Sequence, residues 1–199
     1  DRRIIGFTET FEAGGGEILF VSHSADPSEA VQKTNDYMTA YGDTDCIYAT
    51  GEDYITPAAD VIKSRGITDC KIYGSNISPS VCQLIMDGQV EACTGGEFVC
   101  GSLAVTLLIN YLDGNPIKDA DGTAPYFDNL TQFMVTAENA EDFYEFLSDE
   151  NLATHTISDE EYQNLLVRNN PDVDYDYFYD FLTNYEENVY AKVEANAAQ

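Results

Sequence analysis

Between residues 17 and 114, short apolar runs alternate with segments that carry helix signals, and this alternation constrains the fold more than any other feature of the chain. EILFVSHS (17–24), DCIYAT (45–50), DCKIYGSN (69–76) and QVEACTGG (89–96) read as strands. Asp26, as a cap ahead of Pro27, opens a helix that runs to about Tyr41. TPAADVIKSRG forms a second helix closed by Gly66, and Ser78 caps a third that Gly88 ends. EFVCGSLAVTLLINYLDG is a strongly apolar helix ending at Gly114. Residues 2–13 form a further helix, stopped by Gly14–Gly16, before the first strand. Nearly continuous apolar strands at this spacing predict an α/β fold: a parallel sheet with helices on both faces. Ligands in such folds sit outside the carboxyl ends of the strands. Here those ends read SHSAD, TGED, GSNIS and TGGEF.

Beyond Gly114 the alternation stops. NPIKDADGTAP is a loop, residues 129–137 form one more strand, and ENAEDFYEFLS is an acidic amphipathic helix. Ser158 and Glu161 make a capping box for a short helix reaching Val167. The Tyr/Phe cluster at 175–185 has two readings, packing against the body or a partner or carbohydrate surface.

Charge narrows the function. The 36 acidic residues outweigh nine basic ones, giving a net charge of −27 that repels phosphate backbones and anionic lipid. Nucleic-acid binding through this chain is therefore excluded, and the acidity serves either solubility or recruitment of a cationic ligand. Cysteines stand at 46, 70, 82, 93 and 100 with no C-x-x-C, and His23 and His155 lie far from them in sequence. No metal or other cofactor is expected, and the thiols read as small buried groups with at most one bridge. No apolar run reaches the length of a membrane span. The opening DRRIIGFTET lacks the apolar core of a signal peptide and resembles mid-helix sequence, so an upstream segment is expected.

RIIGF (3–7), IYATGED (47–53), IYGSN (72–76), MDGQVEA (86–92) and GSLAVTLL (101–108) occur in an order and spacing that resemble the periplasmic sugar-binding proteins of the ribose-binding type. The likeness runs from residue 2 to about 147. It implies the C-terminal part of a type I periplasmic-binding-protein-like fold, whose two lobes close on a solute by hinge motion. Residues 1–96 would be the core of the C-terminal lobe, without its first strand. Residues 97–128 would supply a helix and loop that pack on the absent N-terminal lobe. Residues 129–150 would be a return strand and helix, and 151–199 a helical extension. The implied function is extracytoplasmic: the solute-binding component of an ABC transporter, holding a small polar ligand such as a sugar and presenting it to a permease. The alternative is the effector-binding domain of a LacI-type transcriptional regulator.

The resemblance carries family contacts onto Glu52, Asp53, Asn76, Gly95, Gly96 and Arg3 as ligand-binding positions. Gly51 and Glu52 stand where the family commonly has Asn-Asp, Asn76 stands for an Asp, and the hinge Gln falls near Gly95. Each position has a plainer reading. Glu52 and Asp53 also suit the positive end of a helix, Asn76 a turn, Gly95-Gly96 a flexible hinge, and Glu97 a helix-start acid. His23 reads as a loop histidine. No nucleophile, phosphate-binding or zinc motif is present, so no enzymatic activity is expected.

Overall fold

A computed structural model describes residues 2–148 and 156–198. Its contacts divide into two units: residues 1–94 with 135–141, and residues 95–134 with 142–199.

In the first unit, helix starts fall where the sequence supplies acceptors. Helix α1 spans Arg2–Ala13. Helix α2, Pro27–Ala40, begins where Asp26 accepts the Glu29 N–H at 2.9 Å. Helix α3, Glu52–Ser64, starts after Gly51 with no side-chain cap, and Glu52 and Asp53 stand in its first turn. Helix α4, Pro79–Met86, is capped by Ser78, which accepts the Val81 N–H at 3.2 Å. Strands β1 (Cys46–Ala49), β2 (Lys71–Ser75) and β3 (Ala92–Gly95) alternate with these helices. β2 pairs in parallel with both neighbours, Ala49 lying opposite Gly74 and Ser75 opposite Thr94. A fourth strand, β4 (Phe133–Thr136), completes a sheet of order β1-β2-β3-β4. Ile55, Val61, Ile72, Val81, Cys82 and Ile85 are buried beneath the helices, so every element that reads as apolar from β1 to α4 contributes to one core.

The expected strand at 17–24 does not form. These residues take no regular structure, and Leu19, Phe20 and Val21 are roughly half exposed. Among the described residues, no backbone hydrogen bond joins 17–22 to another segment. A strand exists only where an edge receives it, and among the described residues no backbone hydrogen bond joins this segment to the edge at β1.

The second unit is helical: α5 (Val99–Leu112), α6 (Ala140–Ser148, which begins at the boundary with the first unit), α7 (Asp159–Asn164), α8 (Tyr175–Thr183) and α9 (Tyr185–Ala197). The capping box of Ser158 and Glu161 is present at α7. The aromatic cluster belongs to two helices rather than one, and Phe178 and Tyr185 are buried, which is the packing reading. Helix α5 is apolar all round but buries only Val99, Leu103, Thr106 and Asn110. Its other side exposes Val105, Leu108, Tyr111 and Leu112, at 49 to 72%. Asn110, wholly buried, donates to the Leu165 carbonyl and accepts from the Val167 N–H, both at 2.9 Å, tying α5 to the turn after α7.

Candidate functional site

Parallel pairing puts the carboxyl ends of β1 and β2 on one edge of the first unit. Ala49 aligns with Gly74, so Gly51-Glu52-Asp53 and Ser75-Asn76 leave the sheet side by side. Glu52 is half-buried at the start of α3 and Asp53 is exposed. Neither carboxylate is used as a side-chain cap, because the cap position is Gly51. The α3 dipole favours a negative charge there, and also a ligand that Glu52 can hold through a charged acceptor.

Asn76 has φ +82°, the left-handed region that few residues other than glycine adopt. Its N–H donates to the Thr94 carbonyl at 2.9 Å, which pins the turn to the end of β3. The side-chain amide is exposed and offers both a donor and an acceptor. Beside it the Ser75 hydroxyl is buried with no hydrogen-bond partner. Arg3, on α1, donates to the Thr50 carbonyl at 2.6 Å and so reaches the end of β1.

Two cavities open within this unit, and neither is lined by Glu52, Asp53 or Asn76. One of about 580 Å³ lies at the amino ends of the strands, beside the Lys71–Glu91 ion pair at 2.9 Å. The other, of about 920 Å³, lies beside β1 and is lined by Arg3 and many aromatic rings. His23 also lines it, and its backbone carbonyl accepts from Lys33. The carboxyl edge itself is an open jaw rather than an enclosed site.

In the second unit Gly96 has φ +121°, and a Cβ there would meet a Tyr185 ring carbon at 3.0 Å. Gly95, the last residue of β3, is buried. Glu97 lies one residue before the Phe98 cap of α5, outside the helix's first turn. Both of its carboxylate oxygens are buried with no hydrogen-bond partner, so the helix-start reading does not account for it. Burial pushes the nearby Tyr185 hydroxyl up to about 12, and the Glu97 carboxylate adds to the rise. Thr156 opposes it, although its hydroxyl makes no well-formed bond to Tyr185. A neutral phenol donor and a carboxylate acceptor, both unsatisfied, suit a hydroxylated ligand. The sequence signal for Glu97 was its place directly after Gly95-Gly96.

The cysteines are free: Cys70, Cys82 and Cys93 are buried, Cys46 is half-buried and Cys100 is exposed. Burial pushes the Cys82 thiol up to about 12 and Cys70 to about 11, which leaves both inert. Among the described residues no group of acidic, histidine or cysteine side chains could hold a metal. His155 lies outside the described residues.

The sequence model of a family described as a periplasmic binding protein domain matches residues 1–116, more than half of the chain. The chain belongs to the periplasmic binding protein family. Solved structures with the same fold include the periplasmic binding protein component of the arabinose ABC transporter from Shewanella sp. ANA-3. It is 19% identical with a TM-score of 0.62, over 77% of this chain and 51% of that one. The Caulobacter myo-inositol binding protein is 17% identical with a TM-score of 0.60, over 76% and 49%. A periplasmic ribose ABC transporter protein from Conexibacter woesei is 19% identical with a TM-score of 0.54, over 69% and 46%. No curated protein matches significantly. This periplasmic binding protein chain thus spans about half the length of the solved structures it matches.

Proposed function

We propose that this chain is the C-terminal lobe of an extracytoplasmic solute-binding component of an ABC transporter, which holds a small polar ligand, a sugar, by closing against a second lobe. The observation that carries this reading is the shared carboxyl edge: half-buried Glu52 and exposed Asp53 and Asn76 follow the paired strands β1 and β2 on a fold of the periplasmic binding protein family. Two of the solved neighbours are named as proteins of arabinose and ribose ABC transporters and a third as a myo-inositol binding protein, which favours transport over a regulator's effector domain. The mechanism is binding and hinge closure without covalent chemistry. Glu52 accepts from ligand hydroxyls, Asn76 donates and accepts, and Gly95-Gly96 gives the hinge its freedom. The exposed apolar side of α5 packs on the second lobe. The proposed partner in transport is an ABC transporter permease, and among the described residues no helix is long and apolar enough to cross a membrane.

The test is calorimetry with arabinose, ribose, galactose and myo-inositol. Residues 1–199 alone bind none of them tightly, because half of the contacts are missing. Joined to the second lobe, the protein binds one, and Glu52→Ala and Asn76→Ala each weaken it about tenfold or more, as loss of a buried charged or neutral hydrogen bond implies. Sub-micromolar binding by residues 1–199 alone, or unchanged affinity in both variants, refutes the assignment.

A further inference from the structure

Helix α8 in the second unit covers only one side of its aromatic cluster. Phe178 is fully buried, whereas Tyr179 is 40% exposed and Tyr175, one turn earlier, is half-buried. Tyr126, on the loop that leads to β4, is 57% exposed, and its carbonyl accepts from the Tyr175 hydroxyl at 3.0 Å. Phe127 stacks on Tyr175 at 4.9 Å between ring centroids, and the Tyr175 and Tyr179 rings lie 6.1 Å apart. Asn129 donates to the Tyr179 carbonyl and to the Thr183 hydroxyl, both at 2.7 Å, which ties the loop to the helix. The rings are therefore held in place before any partner arrives, and ordering them costs little on binding.

The rim of this face is acidic. Burial pushes the Tyr175 phenol up, and Asp119, Tyr179, Asp128 and Asp176 add to the rise, so three carboxylates stand near its ring. Among the described residues none of the three forms an ion pair, and neither does exposed Lys118 beside Asp119. Between Asp119 and Ala191 the sequence holds a single Lys or Arg, Arg168, and it pairs with Asp113 at 3.5 Å. Tyrosine faces are negative, and here they lie in a negative field. An anion is repelled, and a neutral sugar uses the rings alone. A guanidinium gains twice, because its plane lies on a ring while its edge N–H groups meet a carboxylate. Neither cavity described above includes these residues, so a small molecule would be poorly enclosed. Open, tyrosine-rich faces are instead what protein interfaces use, with arginine the commonest charged partner at their centres.

We infer that the Tyr126, Tyr175 and Tyr179 face is a docking surface for an arginine-bearing segment of a partner protein, whose guanidinium groups lie on the rings and pair with Asp119, Asp128 and Asp176. The inference does not rest on the sugar-binding reading. All of its residues belong to the second unit and lie beyond residues 1–116, which the family model matches. It also gives the aromatic cluster both of its readings: Phe178 and Tyr185 pack, and the opposite side meets a partner.

The experiment titrates residues 1–199 with the peptide Gly-Arg-Gly-Arg-Gly and with its citrulline counterpart, which keeps the side-chain shape and removes the charge. Nuclear magnetic resonance of ring-labelled tyrosines reads affinity and place together. The expected result is saturable shifts at Tyr175 and Tyr179 with the arginine peptide, and binding of the citrulline peptide weaker by about tenfold or more. Tyr179→Leu keeps an apolar side chain without the ring and weakens the arginine peptide about two- to fivefold. Asp119→Asn, Asp128→Asn and Asp176→Asn together weaken it about tenfold and flatten its salt dependence. Glu12→Gln, Asp36→Asn and Asp60→Asn together, the same change of charge in the first unit, leave the affinity within about twofold. No saturable shift, equal binding of the citrulline peptide, or an equal loss in the first-unit variant overturns the surface. So do saturable shifts at these rings with maltotriose, which would make the face a carbohydrate platform. Choline binding as tightly as the peptide would make it a small-cation site and overturn the partner. If circular dichroism shows Tyr179→Leu unfolded, the asparagine variant and the two peptides still decide.

Discussion

Gly74 sets how closely α3 can approach the sheet, and Gly74→Ala tests that directly. A Cβ at this position would lie 2.4 Å from Ile55 Cδ1, 2.7 Å from Ile55 Cγ1 and 3.3 Å from the Ala49 carbonyl. The first distance is about 1 Å short of an ordinary carbon–carbon contact. Ile55 is wholly buried on α3, so its side chain has no open space to enter and the helix must move. Overpacking of this kind costs about 1–3 kcal/mol. The alanine also restricts the unfolded chain, which returns about 0.4–1 kcal/mol. The net loss is then about 1–2 kcal/mol, a drop of about 0.5–1 M in the urea midpoint at a slope near 2 kcal/mol/M. Far-UV circular dichroism follows the transition. Ile55→Val removes the atom at 2.4 Å and alone costs about 0.5–1.5 kcal/mol. Because both changes act on the same space, the double variant should be about 1 kcal/mol or more better than the sum. Additivity within about 0.5 kcal/mol, or an unchanged midpoint in Gly74→Ala, would refute the packing argument. Since Glu52 and Asp53 ride on the first turn of α3, the same variant should also weaken ligand binding in the two-lobed protein.

Asn110→Ala leaves the Leu165 carbonyl buried and the Val167 N–H partly buried without their partner, so stability should fall by about 1–3 kcal/mol in thermal unfolding. Asn115→Ala, on the exposed loop beyond α5, should change it by less than about 0.5 kcal/mol, and equal losses would disprove the tie. Glu161 is caught between burial, which raises its carboxyl, and the Lys192 ammonium at 2.5 Å with the Ser158 N–H, which together hold it below its ordinary value of 4.5. A carboxyl lowered in the folded state stabilises above its unfolded value, and that contribution is lost as pH falls through the folded value. The melting difference between the protein and Glu161→Gln should therefore be present at neutral pH and shrink as acidification carries the pH through the lowered folded value. A difference that persists unchanged in acid would show that the carboxyl is not what matters.

Much of the first unit was legible because its signals are local. Asp26 and Ser78 cap the helices they precede, as Ser158 does in the second unit, and Gly66 and Gly88, both at positive φ, follow the helices they end. The runs around Ile47, Ile72 and Cys93 became strands since each has a neighbour within reach. Residues 17–24 carry the same apolar signal and did not, because pairing requires a partner that propensity cannot supply. Helix α5 reads as strongly apolar, yet Val105, Leu108, Tyr111 and Leu112 remain exposed for the same reason. In the candidate site, Glu52 and Asn76 were visible as polar strand ends. The unsatisfied Glu97 carboxylate was not, since a Gly-Gly-Glu sequence does not say whether an acid is solvated or enclosed.

By itself the sequence determined the order of strands and helices, their caps, and the strand ends at which polar groups emerge, because each depends on neighbours a few residues away. Tertiary structure alone decided which strands found an edge to pair with, which groups were buried without a partner, and how near α3 comes to Gly74. Those outcomes depend on what lies opposite a residue in space, and distance along the chain carries no record of it.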